Sequence, residues 1–240
     1  MSEAKDLAET NPSSQPRVVV DFDLLRKIAA SNFRDLGGHP TVAGKRIRKG
    51  HIYRSSHLAE IPLESPLREL ALKTLVTLQS RIEVRHLGPP EHSFRGDARW
   101  EHIPIGDQWF TEQGFTRIQS KPGHEHLSLI MHFRTDWARF FGVLAERNVY
   151  PLLFHCSAGR DRTGVGAVML LEMLGVERDR IVADFLESNA TFPAQPLSAT
   201  QLEPIFELID QNDGIDRFMC EVIGANPSDL AAIRDELLEE

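Results

Sequence analysis

The sequence predicts an α/β fold: a central, mainly parallel sheet flanked by helices, with a helical C-terminal part. Three observations predict it. Short apolar runs of the composition that buried strands favour alternate with longer helical patterns. The last third of the chain reads as one helix after another. One apolar run, residues 149–154, passes through a glycine-containing loop into a second apolar run, residues 165–174, which is how a parallel layer structure joins strand to helix. With 240 residues, 41% of them hydrophobic, the chain can bury a core of that kind.

Element by element, residues 1–17 carry Ser, Thr, Pro, Glu and Asn with almost nothing to bury. They read as a flexible tail ahead of a single domain over 18–240. Residues 44–55 alternate Arg46, Ile47 and Arg48, then turn at Lys49-Gly50 into His51-Ile52-Tyr53, the pattern of a small hairpin. Its basic stretch, residues 45–49, is either a solvated face or a positive rim beside an anion site. A short helix at 66–71 leads into a buried strand at 73–78, and 99–105 forms the next strand. Residues 106–123 hold Trp109, Phe110 and Phe115 without a period, which suits local core or a lid. Residues 125–147 are helical in pattern and 149–154 is a third strand. Residues 164–174 are apolar on nearly every side, as only a buried helix can be, and Gly175 stops them. Helices follow at 177–188, 200–211 and 215–223, then a last one with Asn226 as N-cap and Pro227 in its first turn.

Composition excludes several function classes. A net charge of -8 argues against a nucleic-acid partner, because phosphate backbones demand a basic footprint. An anionic substrate must then be held by local positive charge. Two cysteines, Cys156 and Cys220, are too few for a disulfide framework and fit a reducing compartment. No eighteen apolar residues run together and the first 17 lack a secretory core, so the expectation is a cytoplasmic protein without stable membrane insertion, with unconventional export left open. His124, Glu125, His126 and His132 do not have the spacing of a zinc set, and no metal or cofactor is expected.

The chemistry concentrates in HCSAGRDRTG, residues 155–164, at the carboxyl end of a strand, where α/β sheets bind ligands. Gly159 lets the chain curl and aim successive N–H groups at one point, and the following helix adds the positive end of its dipole. Cys156 stands at the head of this anion cradle, in a setting of helix N-terminus and cations that favours thiolates. Arg162, six residues on, can bring a planar fork to two phosphoryl oxygens. Thiolate, guanidinium and amides together suit in-line attack on phosphorus. A buried structural thiol would give no reason for Arg160, Asp161 and Arg162 to crowd the junction.

These ten residues resemble the HC-x-AGKDRTG loop of the atypical tyrosine/serine, dual-specificity branch of the Cys-x5-Arg protein tyrosine phosphatases. NFRDLGG at 32–38, YRSSHL at 53–58 and DFLESN at 184–189 agree with the same family, so the likeness spans roughly 22–238. The resemblance implies Cys156 as nucleophile and Arg162 as phosphate-binding arginine. It implies Thr163 as the hydroxyl supporting the thiolate as leaving group, and His155 as setting the loop. Ser157, Ala158, Gly159 and Arg160 would line the phosphate, with Arg34 and Asp35 buttressing the loop. Arg160 stands where the family has lysine, and Thr77-Leu78-Gln79 stands where it has D-L-R. For the general acid the sequence offers Asp161, favoured because the family resemblance in the loop includes it, and Asp107, on the aperiodic loop, where the match is thin. The substrate implied is a phosphorylated protein, on tyrosine and also serine or threonine. The alternative is a phosphoinositide, with Arg160 and residues 45–49 as extra anion contacts; a phosphate-binding module without turnover ranks last.

Overall fold

The computed structural model describes residues 17–18, 22–61, 65–111, 114–116 and 120–240. Its first half runs β1 (Arg17–Val18), α1 (Phe22–Lys27), β2 (Arg34–Asp35), β3 (Arg46–Ile47), β4 (Ile52–Ser55), β5 (Thr74–Thr77), α2 (Arg81–Leu87), α3 (His92–Arg95) and β6 (Arg99–His102). There follow β7 (Phe110–Thr111), β8 (Gly114–Thr116), α4 (Glu125–His132), α5 (Arg134–Ala145), β9 (Leu152–His155), α6 (Asp161–Met173), α7 (Arg178–Glu187) and α8 (Glu203–Gln211). The chain closes with α9 (Ile215–Arg217), α10 (Pro227–Leu237) and β10 (Leu238–Glu239).

The central sheet has the order β2-β4-β9-β5-β6, with β4, β9, β5 and β6 parallel and β2 antiparallel at one edge. All residues of β4, β5 and β9 are buried, as strands covered on both faces must be. Side-chain alternation splits them between two cores. Ile52, Val76, Leu152 and Phe154 face the large helical core, while Tyr53, Leu75 and Leu153 face a smaller cluster with Leu58, Ile61 and Leu67. Helix α6 packs on β4 and β9 and is buried along nearly its whole length. Without side chains at Gly164 and Gly166, the rings of Phe185 and Trp137 lie against it, each within 3.2 Å of where a Cβ would stand.

Several sequence expectations need correction. Residues 44–55 are not a hairpin: Ile47 pairs with Leu238 of β10, whereas Ile52–Ser55 enters the central sheet beside Leu152–His155, because four buried residues cannot form a surface arm. The helical pattern of 125–147 breaks at Phe133, whose ring is buried and meets Trp109 edge-on at 4.2 Å between centroids. The strand from Arg99 stops at His102, two residues before Pro104, which cannot donate to a ladder. The segment at 66–71 is a 3-10 turn, Pro66–Glu69. After α9 the helix widens to a π-helical stretch, Phe218–Ile223. Asn226 holds the N-cap position of α10 but accepts no capping bond; its amide donates to Asp229 at 3.2 Å. The tail expectation for residues 1–16 lies outside the described residues, and Arg17 pairs with Thr116 in a small sheet, β1-β8-β7.

Candidate active site

Strand β9 ends at His155 and α6 begins at Asp161, so the five residues Cys156 to Arg160 make the turn. Gly159 has φ +66°, and a Cβ on it would stand 2.5 Å from the Ser55 carbonyl oxygen. Only glycine fits a left-handed position that close to a neighbouring strand. Cys156 is buried and unbonded to any other sulfur.

The back of the loop is braced on the helical face of the sheet by three stretches far apart in sequence. Asn32 Nδ2 and Arg54 Nη2 both donate to the Gly159 carbonyl at 2.9 Å. Asp184 accepts from Arg54 Nη1 and Arg34 Nε, each at 2.6 Å. Asn32 links to Arg34 and to Ser188 at 2.6 and 3.1 Å. Its φ of 52° is the left-handed region that Asn tolerates better than most residues. Burial alone would raise the Asp184 pKa; the charges of Arg54 and Arg34 outweigh it and hold the carboxyl below its usual range. Arg54 is fully buried, and that burial lowers its own pKa to about 10. Asp184→Asn would leave the fully buried Arg54 guanidinium without its counter-charge, while Arg34 keeps Glu187 at 3.4 Å, an expected loss of about 3–5 kcal/mol. A drop of roughly 10 °C in Tm at neutral pH is the corresponding readout; an unchanged Tm would show that the cluster is not structural. Asp35 lies elsewhere: its carboxylate accepts from the Gly37 and Gly50 amides at 2.7 and 2.8 Å and pins the turns of β2 and β4 rather than the loop.

The front of the loop is organised by a residue that sequence reasoning did not single out. Arg162 donates from both Nη1 and Nη2 to Glu83, at 2.6 Å each, and its guanidinium lies 5.3 Å from the Phe110 ring centroid. Glu83 also accepts from Ser157 Oγ at 2.5 Å and from the Ser80 amide at 2.8 Å. Burial would raise its pKa, but Arg162 and these donors hold it below the usual carboxylate range. An end-on pair of this kind leaves the Nε edge of the fork for an oxyanion. Both Arg54 and Arg162 sit close enough to Cys156 for a negative sulfur to stabilise their charge. His155 is fully buried, which depresses its pKa to about 3 and keeps the imidazole neutral. The Thr163 hydroxyl is buried with no hydrogen-bond partner among the described residues. The Ala158 carbonyl lies 3.5 Å from the Asn32 amide.

The charged residues that follow are already engaged. Arg160 donates to the Gln195 carbonyl and to Asp161, both at 3.1 Å, and lies 5.4 Å from the Phe192 ring centroid. Asp161 also meets His126 Nε2 at 3.2 Å. Burial would raise the Asp161 pKa, but His126 and Arg160 hold it well below the carboxylate range. Asp107 opens a 3-10 turn after Gly106 and accepts from the Arg81 amide at 2.6 Å and from the Arg81 guanidinium. The residues flanking this turn, Ile105 through its carbonyl at 3.3 Å and Phe110 through its ring, both touch Arg162. Trp109 instead packs into the core. Residues 45–49 precede the amino end of β4 and bind the C-terminus, with Arg48 N donating to the Leu237 carbonyl at 2.7 Å and Lys45 pairing with Glu240. Cys156 lies past the carboxyl ends of the same parallel strands, so the positive rim proposed for these residues is at the wrong end of the sheet.

A thiol at the head of an anion cradle, beside a guanidinium whose orientation a buried carboxylate sets, is equipped to accept a phosphoryl group. The profile of the tyrosine phosphatase family matches residues 27–239. The chain belongs to the tyrosine phosphatase family. Among its relatives in that family, a Cupriavidus necator protein that carries a tyrosine-protein phosphatase name is 33% identical over 186 residues, covering 74% of this chain and 65% of that protein. The triple specificity protein phosphatase PtpB of Mycobacterium tuberculosis is 30% identical over 193 residues, 68% of each chain. The catalytic domain of the PP-IP phosphatase SIW14 from S. cerevisiae superposes with a TM-score of 0.39 at 16% identity, over 78% of this chain and 95% of that one. Within this site the overlooked Glu83 had a local signal, since Ser80-x-x-Glu83 is a capping box and both of its bonds form. Nothing local showed that the same carboxylate would reach Arg162. No helix among the described residues is long and apolar enough to cross a membrane.

Proposed function

We propose that the chain hydrolyses phosphomonoesters of proteins, phosphotyrosine first, through a cysteinyl-phosphate. The observation that carries this reading is the placement of Cys156 at the head of the loop with Arg162 forked onto buried Glu83. The Cys156 sulfur attacks phosphorus, an S–P bond forms and the P–O bond to the substrate oxygen breaks. Arg162 and the loop amides stabilise the charge on the equatorial oxygens, and the leaving oxygen takes a proton from a carboxylic acid. Water then attacks phosphorus, the S–P bond breaks, and the same carboxylate takes the water's proton as phosphate leaves.

We assign the acid to Asp107. Asp161 is committed to His126 and Arg160 and held in its ionised form, which makes it a poor donor at neutral pH. Asp107 stands on the loop whose neighbours cover Arg162. Asp107→Asn is expected to slow alkyl phosphates, whose leaving groups need the proton, by about 10²–10⁴-fold and activated aryl phosphates far less. Asp161→Asn should slow both alike. The reverse pattern in a leaving-group series would return the acid to Asp161.

The triple specificity in the name of the Mycobacterium relative supports a substrate range wider than phosphotyrosine alone, and we extend the reading to phosphoserine and phosphothreonine. A phosphoinositide substrate loses support because Arg160 is engaged by the Gln195 carbonyl, Asp161 and the Phe192 ring, and residues 45–49 lie at the other end of the sheet. Comparing kcat/KM for a phosphotyrosyl peptide and for a soluble phosphoinositide tests the choice; a preference for the inositol compound overturns it. The two free cysteines agree with a cytoplasmic setting.

A further inference from the structure

Thr77 and Gln79 occupy the two positions where this chain departs from the D-L-R pattern of the family it resembles. Strand β5 runs parallel to β9 with Thr77 in register with His155, so residues 77 and 79 face residues 155 and 157 across the same side of the sheet. Thr77 Oγ1 lies 2.8 Å from His155 Nε2, and Gln79 Nε2 donates to Ser157 Oγ at 3.0 Å. His155 and Ser157 are the two neighbours of Cys156. All four of these side chains are buried.

We propose that Thr77 and Gln79 are positioning residues for the nucleophile, a neutral clamp that holds the backbone on either side of Cys156 where the family pattern carries charge. The inference rests on the phosphatase reading above for its kinetic consequence, and on the hydrogen bonds alone for its structural one.

The donor directions follow from the bonds themselves. The indole N–H of Trp100 can only donate, and it donates to Thr77 Oγ1 at 2.9 Å. The Cys156 carbonyl facing His155 Nδ1 at 3.2 Å can only accept, so Nδ1 carries the single proton of the neutral imidazole, and Nε2 is left bare to accept the Thr77 hydroxyl proton. A relay of indole, hydroxyl and imidazole thus ends on the backbone of the nucleophile. The second arm is parallel. Gln79 donates to Ser157, whose hydroxyl donates to Glu83, the carboxylate that orients Arg162. One strand end thereby sets both the sulfur and the fork. On the opposite face of the sheet the same loop is held by Arg54 and Asn32.

The test compares Thr77→Val, which keeps the shape and loses the hydroxyl, with Thr77→Ser, which keeps the hydroxyl. Displacing a reacting group slightly costs rate far more than affinity. The valine variant should lose about tenfold in kcat on an aryl phosphate, as outer-shell partners of functional groups do, with KM and the Kd for inorganic phosphate changing less than threefold. The serine variant should recover most of the rate. Imidazole nitrogen NMR should find His155 as the neutral Nδ1–H tautomer in the wild type. In the valine variant that tautomer should give way to a mixture. An unchanged kcat, a serine variant as slow as the valine one, or an Nε2–H tautomer in the wild type would each overturn the clamp. If the wild type hydrolyses no phosphomonoester the proposed function fails, while the tautomer still decides the clamp; the wild-type tautomer likewise decides it should the valine variant not fold.

Discussion

Cys156→Ser is expected to reduce turnover of any phosphomonoester by about 10⁴-fold or more, because replacing a covalent nucleophile removes the whole pathway rather than one interaction within it. Two titratable groups beside the loop are poorly placed to serve a serine hydroxyl as general base: His155 is neutral, buried and turned to the Cys156 carbonyl, and Glu83 is committed to Arg162. The cradle itself does not depend on sulfur. The Gly159 turn is held by Asn32 and Arg54 and the arginine fork by Glu83, so binding of inorganic phosphate should survive within a few-fold. Acid quenching during a single turnover should trap phosphate on the wild-type protein and none on the variant. Turnover retained by the serine variant would exclude a cysteinyl-phosphate.

Arg162→Lys should abolish most activity although the charge is kept, by about 10²–10³-fold in kcat, the scale of losing a preorganised oxyanion donor. The structure makes this substitution more informative than truncation. Glu83 is buried and needs a cation, so Arg162→Ala should also unfold the site, with a loss of about 3–5 kcal/mol. A lysine ammonium can still pair with one Glu83 oxygen, and Tm should fall much less. What it cannot do is hold both carboxylate oxygens end-on, lie flat beside Phe110 and present a second edge to phosphate. A lysine variant within tenfold of wild type would mean that the fork does not bind the transferred group.

The two experiments probe features of different legibility. The loop HCSAGRDRTG was readable because its chemistry is local. A strand end, a glycine that must turn, a thiol and an arginine six residues later lie within one short stretch, and the conformation of that stretch follows from its own residues. The α/β class was readable for the same reason, since side-chain periodicity in strands and helices is a property of neighbouring positions. NFRDLGG, YRSSHL and DFLESN could be picked out as motifs, yet nothing in them said what they touch.

Tertiary structure decided what holds the loop and where charge lies around it. Parallel pairing of Ile52 with Leu152 and Thr74 with Leu152 brings Arg54 beneath Gly159 and Thr77 beside His155. Both contacts depend on strand register, which no local pattern encodes across a hundred residues. The same register sends residues 45–49 to the amino end of the sheet, so a basic stretch that looked like a phosphate rim is bound to the C-terminus. Glu83, which the sequence reading passed over, closes a capping box with Ser80, but burial in apolar surroundings makes a carboxylate seek a full positive charge. The charge it finds is Arg162, 79 residues away. The acid was likewise undecidable along the chain: the resemblance within the loop favoured Asp161, whereas in the fold that carboxylate is engaged by His126 and Arg160 and Asp107 is engaged by Arg81 beside the arginine, and the leaving-group series decides between them.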